Sequence, residues 1–124
     1  MDRQGAGDRG EARAEVWLCE RGLRVIERNY RCRAGEIDLV MLDPNPRDTE
    51  VLAFVEVRLR GASARVDSFD SVDARKRGRL VSAARHFLMM HPEWHDHACR
   101  FDVVGIDGKD GQLRWIPGAF ELAG

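Results

Sequence analysis

Between Val51 and Leu59 the chain runs Val-Leu-Ala-Phe-Val-Glu-Val-Arg-Leu, an apolar stretch interrupted by two charges. Strand side chains alternate between faces, so Glu56 and Arg58 share one face and Val55, Val57 and Leu59 the other. A second apolar run, Glu36 to Leu42, carries Asp38. Ahead of it, Leu23 to Asn29 reads as a strand, and Tyr30 to Gly35 as a polar turn joining the two into a hairpin. Arg100 to Ile106 and Leu113 to Ile116 predict two further strands around the turn Asp107 to Gly111, and Gly118 to Phe120 predict a docked tail.

Two helices fit the remaining periodicity. Ala12, Val16, Cys19 and Leu23 recur at spacings of four, three and four, which predicts an amphipathic helix from about Gly10 that stops at Gly22. Leu80, Ala84, Phe87 and Leu88 predict the buried stripe of a second helix, N-capped by Ser71 and ending near Met90, before Pro92. Asp43 to Asp48, with two prolines, and Gly61 to Ser68 read as loops. The order is helix, three strands, helix, two strands, so the fold class is α/β: a mixed sheet of about five strands flanked by helices.

A chain of 124 residues with 44% hydrophobic residues suits one domain, expected over residues 10–124 behind a flexible stretch 1–9. No apolar segment is long enough to cross a bilayer and the N-terminus lacks a signal-peptide core, so a cytoplasmic protein with no membrane partner is expected. Cys19, Cys32 and Cys99 are odd in number and lack paired spacing, which predicts buried free thiols and neither a disulfide framework nor a thiolate metal site. The net charge of −1 argues against a protein that coats nucleic acid through bulk charge. Basic residues nevertheless gather at Arg58, Arg60, Arg75, Lys76, Arg77 and Arg79. That run is either a solvated helix face or a contact for backbone phosphates, which bind cations whatever the base sequence.

Hard divalent cations prefer carboxylate and water oxygens, so Asp38 and Glu56 on adjacent strands would form a minimal site for Mg²⁺ or Mn²⁺. The bland reading of Glu56 and Arg58 is an ion pair at a strand end. That of Asp38 is a turn cap or a partner for Arg31 or Arg33, and that of Glu11 a favourable acid near a helix N-terminus. Asp102, also in an apolar strand, is expected to pack or to pair with Arg100 or Arg114. His91, His95, Asp96 and His97 are expected to form a solvated turn rather than a zinc site. Trp17, Trp94 and Trp115 are too dispersed for a base-stacking platform.

An acid followed by a Glu-x-Arg strand resembles the PD-(D/E)xK nuclease core, whose pattern is usually Asp and then Glu-x-Lys. Further blocks match the YraN-like family of small bacterial proteins: Gly10-Glu11-Ala12, Arg28-Asn29-Tyr30-Arg31 before Gly35-Glu36-Ile37-Asp38, Phe54-Val55-Glu56-Val57-Arg58, Ser71-Val72-Asp73-Ala74-Arg75-Lys76 and Arg100-Phe101-Asp102-Val103-Val104. The resemblance implies a restriction-endonuclease-like (tRNA-endonuclease-like) core related to archaeal Holliday-junction resolvases. It also implies a metal-dependent nuclease acting on structured or branched DNA, with a binding module of the same fold as the alternative. Asp38 and Glu56 then match the metal acids, Glu11 the helix glutamate that completes the site, and Arg58 the place where resolvases carry lysine. Lys76, at the start of the second helix, is a candidate to replace that lysine. A homodimer would suit a two-fold symmetric substrate.

Overall fold

A computed structural model describes residues 2–44, 50–60 and 74–120, with side chains from Arg9 onward and, on the third strand, as far as Leu59. The elements run α1 (Asp2–Glu20), β1 (Arg24–Cys32), β2 (Gly35–Asp43), β3 (Val51–Arg60), α2 (Ala74–Met90), β4 (Ala98–Asp107) and β5 (Leu113–Phe120). A short 3₁₀ turn, Pro92–Trp94, lies between α2 and β4. The Ser71 cap, the Gly61 to Ser68 connection, most of the Asp43 to Asp48 loop and the side chain of Arg60 lie outside the described residues.

The five strands form one sheet in the order β1-β2-β3-β4-β5. All neighbours are antiparallel except β3 and β4, whose parallel register runs from Val51↔Ala98 to Arg60↔Asp107. Antiparallel neighbours join by short turns, whereas a parallel pair needs a crossover, and α2 supplies it. The arrangement is the expected α/β fold, a five-stranded mixed sheet flanked by two helices, consistent with a restriction-endonuclease-like core.

Alternation along the strands sends residues to two separate cores. Leu52, Phe54, Phe101 and Val103 meet Leu80, Ala83, Ala84 and Phe87 of α2. Leu39, Met41, Ala53, Val55, Val104 and Ile106 meet Ala14 and Leu18 of α1. The α2 stripe matches the sequence expectation closely. The α1 stripe does not: Ala14 and Leu18 are fully buried, while Ala12, Val16 and Cys19 face outward, Val16 with 58% exposure. Helix α1 carries apolar residues on two faces, and periodicity alone does not say which one the sheet takes. The same rotation exposes Cys19; Cys32 and Cys99 are half-buried and all three thiols are free, so none is the fully buried thiol expected.

Helix α1 begins at Asp2 rather than near Gly10, since glycine lowers helix propensity without forbidding helical angles. It ends as expected. Gly22 has φ of 98°, its N–H donates to the Cys19 carbonyl and that of Leu23 to Leu18, the paired bonds of a Schellman stop. The hairpin between β1 and β2 is tighter than expected: Cys32 pairs with Gly35, so only Arg33 and Ala34 form the turn. Tyr30 belongs to β1, stacks edge-on against Phe87 at 5.2 Å, and hydrogen-bonds His86. Strand β5 extends through Pro117 to Phe120, which an edge strand tolerates because one side of its backbone needs no donor.

Asp102 is buried and fully provided for. Arg100 donates to both of its oxygens at 2.8 and 3.0 Å, and Trp115 Nε1 and the Gly118 N–H each donate at 3.0 Å. Arg100 also reaches Asp43 at 3.0 Å, tying the ends of β2, β4 and β5 together. Arg100, one of the two expected partners, thus pairs with Asp102.

Helix α2 is seated by a close approach at Gly35. A β-carbon there would lie 2.8 Å from the Arg79 carbonyl oxygen, too near for any side chain. We expect Gly35→Ala to lower stability by about 1–3 kcal/mol, the range of overpacked cores. Denaturant unfolding measures it; an unchanged midpoint would mean that the helix shifts freely.

Candidate functional site

The sheet opens between β2 and β3. Their pairing runs from Asp43↔Val51 to Leu39↔Val55 and ends there, while β2 continues along β1 to Gly35 and β3 along β4 to Arg60. Asp38 and Glu56 are the first residues past the divergence. Asp38 Oδ2 accepts the Val57 N–H at 2.8 Å, so a side chain takes over where the backbone ladder stops. A backbone donor left unpaired in this interior would cost about 1–3 kcal/mol. That bond fixes one oxygen of Asp38 and leaves the other to its neighbours.

The neighbours are acids. Glu56 and, from α1, Glu11 both lie close enough to act on the Asp38 carboxyl. Burial pushes Asp38 up to about 7, with the Glu11 charge adding to the shift and the Val57 bond opposing it. Glu56, only 6% exposed, is likewise raised to about 7 by burial and the charge on Asp38. Lys76 opposes that rise: its Nζ lies 2.6 Å from Glu56 Oε2. Two carboxyls in contact in a low dielectric do not both ionise readily, so the pair retains a proton near neutrality.

A cleft of roughly 400 Å³ opens onto the pair, lined by Arg31, Cys32, Gly35 and Glu36 of the hairpin, by Asp38 and Glu56, and by Lys76, Arg79 and Leu80 of α2. Lys76, Arg79 and Leu80 are related by the three- and four-residue spacing that places side chains on one helix face. This splits the basic run. Lys76 and Arg79 turn to the cleft, Arg77 lies 5.9 Å over the Phe120 ring, and Arg75 is exposed. Arg58 is half-buried and outside the cleft lining, because β3 carries it two residues, about 7 Å, past Glu56. Arg31 lies on the opposite lip in an exposed pair with Glu36 at 3.3 Å. Sequence reasoning treated Arg31 only as a neutralising partner; its position in the hairpin before Asp38 was the available signal.

Among the described residues no three His, Cys, Asp or Glu side chains form a group arranged to hold a metal ion. The oxygen donors in contact are the Asp38–Glu56 pair, with Glu11 behind Asp38. Two carboxylates suit Mg²⁺ or Mn²⁺, which keep several waters or take substrate oxygens for the rest. The histidines are elsewhere and otherwise engaged: His91 stacks on Phe87 at 4.2 Å and His97 lies 3.5 Å from Glu50. Trp17 and Trp115 meet edge-on at 6.0 Å, as packing rather than as a stacking platform. None of the described helices is long and apolar enough to cross a membrane.

Comparison with known proteins returns one family description. The pattern of "Uncharacterised protein family UPF0102" matches residues 10–106. A UPF0102 protein of Stutzerimonas stutzeri is 46% identical, over 97% of this chain and 98% of its own length. One from Ectopseudomonas mendocina is 47% identical over 93% of each chain, and one from Alcanivorax borkumensis 44% identical over 95% and 93%.

The raised carboxyl pair has a consequence for stability. Unfolded, these acids ionise near their ordinary values of 3.8 and 4.5, but folded only at about 7. Between those limits the native state holds more protons, so their contribution to stability is greatest below pH 4 and is lost as pH rises through 7. Asp38→Asn should therefore be more stable than the parent at pH 8 by on the order of 2 kcal/mol, the difference shrinking toward pH 4. Thermal melts of both proteins in chelator across that range test it; a pH-independent difference contradicts the shifted pair.

Proposed function

The chain belongs to the uncharacterised protein family UPF0102, and from its sheet-fork acids we propose that it is a metal-dependent nuclease acting on structured or branched DNA. One observation carries the reading: Asp38 and Glu56 are in contact at the floor of a cleft whose lips are basic. Asp38 and Glu56 would hold Mg²⁺ or Mn²⁺, and Glu11 of α1, close enough to act on Asp38, would assist directly or through a water. A cation bound there supplies a water of lowered pKa and offsets negative charge on the phosphodiester.

The protein's own groups do the rest. The raised Asp38 and Glu56 carboxyls would hold such a cation in their ionised form, its charge offsetting theirs in place of the proton retained near neutrality. Lys76, whose Nζ lies 2.6 Å from Glu56, would offer its ammonium to the attacking water or a phosphate oxygen at that point. Arg79 and Arg31 would flank the entering strand from opposite lips, and Arg75, Arg77 and Arg58 would extend the phosphate contacts beyond the cleft. Arg58 keeps its proton and serves only as a cation. The phosphate contacts are indifferent to base sequence, which fits recognition by shape.

A second reading is favoured by the partner that each acid already has within the chain. Val57 provides for Asp38 and Lys76 for Glu56, and an arginine stands where the nuclease pattern has lysine. On that reading the fold binds nucleic acid or a partner without cutting.

Calorimetric titration with Mn²⁺ and a cleavage assay on branched DNA decide between them. We expect Mn²⁺ binding that Asp38→Ala and Glu56→Ala abolish, and cleavage that Lys76→Ala lowers by on the order of 100-fold with binding retained. DNA binding without Mn²⁺ heat or cleavage selects the binding module.

A further inference from the structure

The outer face of α1 is apolar where solvent would call for polar residues. Ala12 and Val16 lie there exposed, beside the half-buried Trp17. Together with Leu113 from the turn edge of β5, they line a groove of about 380 Å³ bounded by Arg13 and Glu20. It lies on the α1 side of the sheet, separate from the acid cleft, and shares no residue with it.

The stripe Arg13, Val16, Trp17, Glu20 has the spacing i, i+3, i+4, i+7, a single helix face over two turns. Read in either direction it is charge, apolar, apolar, opposite charge, so it complements its own reversal. A two-fold interface pairs each residue i with a residue j and j with i. An axis passing between Val16 and Trp17 sets Arg13 against Glu20 of the second copy, Val16 against Trp17, and Ala12 against Arg21, all with i and j summing to the same value. The ends are prepared for this. Arg13 Nη2 donates to the Gly111 carbonyl at 2.6 Å, which holds the guanidinium at the groove rim with its other donors available. The Arg21 guanidinium lies 3.2 Å over one face of the Trp17 ring and donates to the Trp17 carbonyl at 3.0 Å, which fixes the indole at the edge of the stripe.

We propose that this chain forms a two-fold homodimer through antiparallel pairing of α1 helices, Val16 and Trp17 at its centre and reciprocal Arg13–Glu20 ion pairs at its ends. The second copy is the occupant because only the chain itself is guaranteed to present the reversed charge order at the same spacing. One helix face with a short flank is a small interface, so the dimer is weak and its population depends on concentration. The proposal stands whether or not the cleft is catalytic, since it uses none of the cleft residues.

Sedimentation equilibrium of the full chain from about 5 to 500 μM reads it. A monomer–dimer equilibrium is expected, abolished by Val16→Asp. Glu20→Arg alone sets like charges together and should weaken the dimer at least 10-fold, and Arg13→Glu with Glu20→Arg should restore it. Circular dichroism melts confirm that each variant is folded, and Val16→Ser replaces Val16→Asp if it is not. A monomer throughout overturns the proposal, as does a dimer indifferent to Glu20→Arg, a double variant that fails to recover, or a groove that instead takes up a different protein.

Discussion

Two carboxyl groups in contact inside a sheet are a standing electrostatic cost, and the surrounding structure is arranged around it. Burial and mutual repulsion raise both acids, so any neighbour that lowers the cost is held in place by it. Val57 answers Asp38 with a backbone N–H, which is available only because β2 and β3 have parted. Lys76 answers Glu56, and it reaches only because α2 lies against the hairpin at Gly35. The fork, the helix position and the cleft are thus three aspects of one solution. An apolar pair at these positions would remove the Glu56 contact that draws Lys76 over the strand ends.

Asp102 shows the other way to bury an acid. It is more deeply enclosed than Glu56, at 1% exposure, yet four donor contacts surround it, two of them from a guanidinium. Nothing remains for a ligand to satisfy. Asp38 and Glu56 meet each other instead of a full set of donors, and they do so facing an open cleft. The three strands carry similar acids in similar apolar runs, and the number of donors delivered separates a structural joint from a candidate reactive site.

The two helices divide the work. Helix α2 bridges the parallel pair, closes one core and points Lys76 and Arg79 at the cleft. Helix α1 closes the other core with Ala14 and Leu18, sends Glu11 to Asp38, and leaves a second apolar face outward. Glu11 thereby couples the N-terminal helix to the acid pair, while the face bearing Val16 remains for another surface.

Much of this was legible beforehand, for a definite reason. Strand alternation is local, so Glu56 and Asp38 stood out in apolar runs, and the α2 stripe followed from a helix with a single strongly apolar face. The order of blocks in the resemblance, which covers nearly the whole chain from Gly10 to Phe120, points to the family. Other features depended on distant partners. Which face of α1 is buried was decided by the sheet, since both Ala12–Val16 and Ala14–Leu18 satisfy helical periodicity. Tyr30 joined β1 because Phe87 and His86 lie across from it, and β5 ran on through Pro117 because that strand is an edge. Arg58 was singled out by its spacing from Glu56, but only the divergence of β2 from β3 shows that the cleft lies toward Lys76 and leaves Arg58 aside. Residue order therefore determined which elements form and which acids they carry, because propensity and alternation act over a few residues. Tertiary structure decided what those acids meet, because contacts between Asp38, Glu56, Glu11 and Lys76 exist only once two strands part and two helices dock.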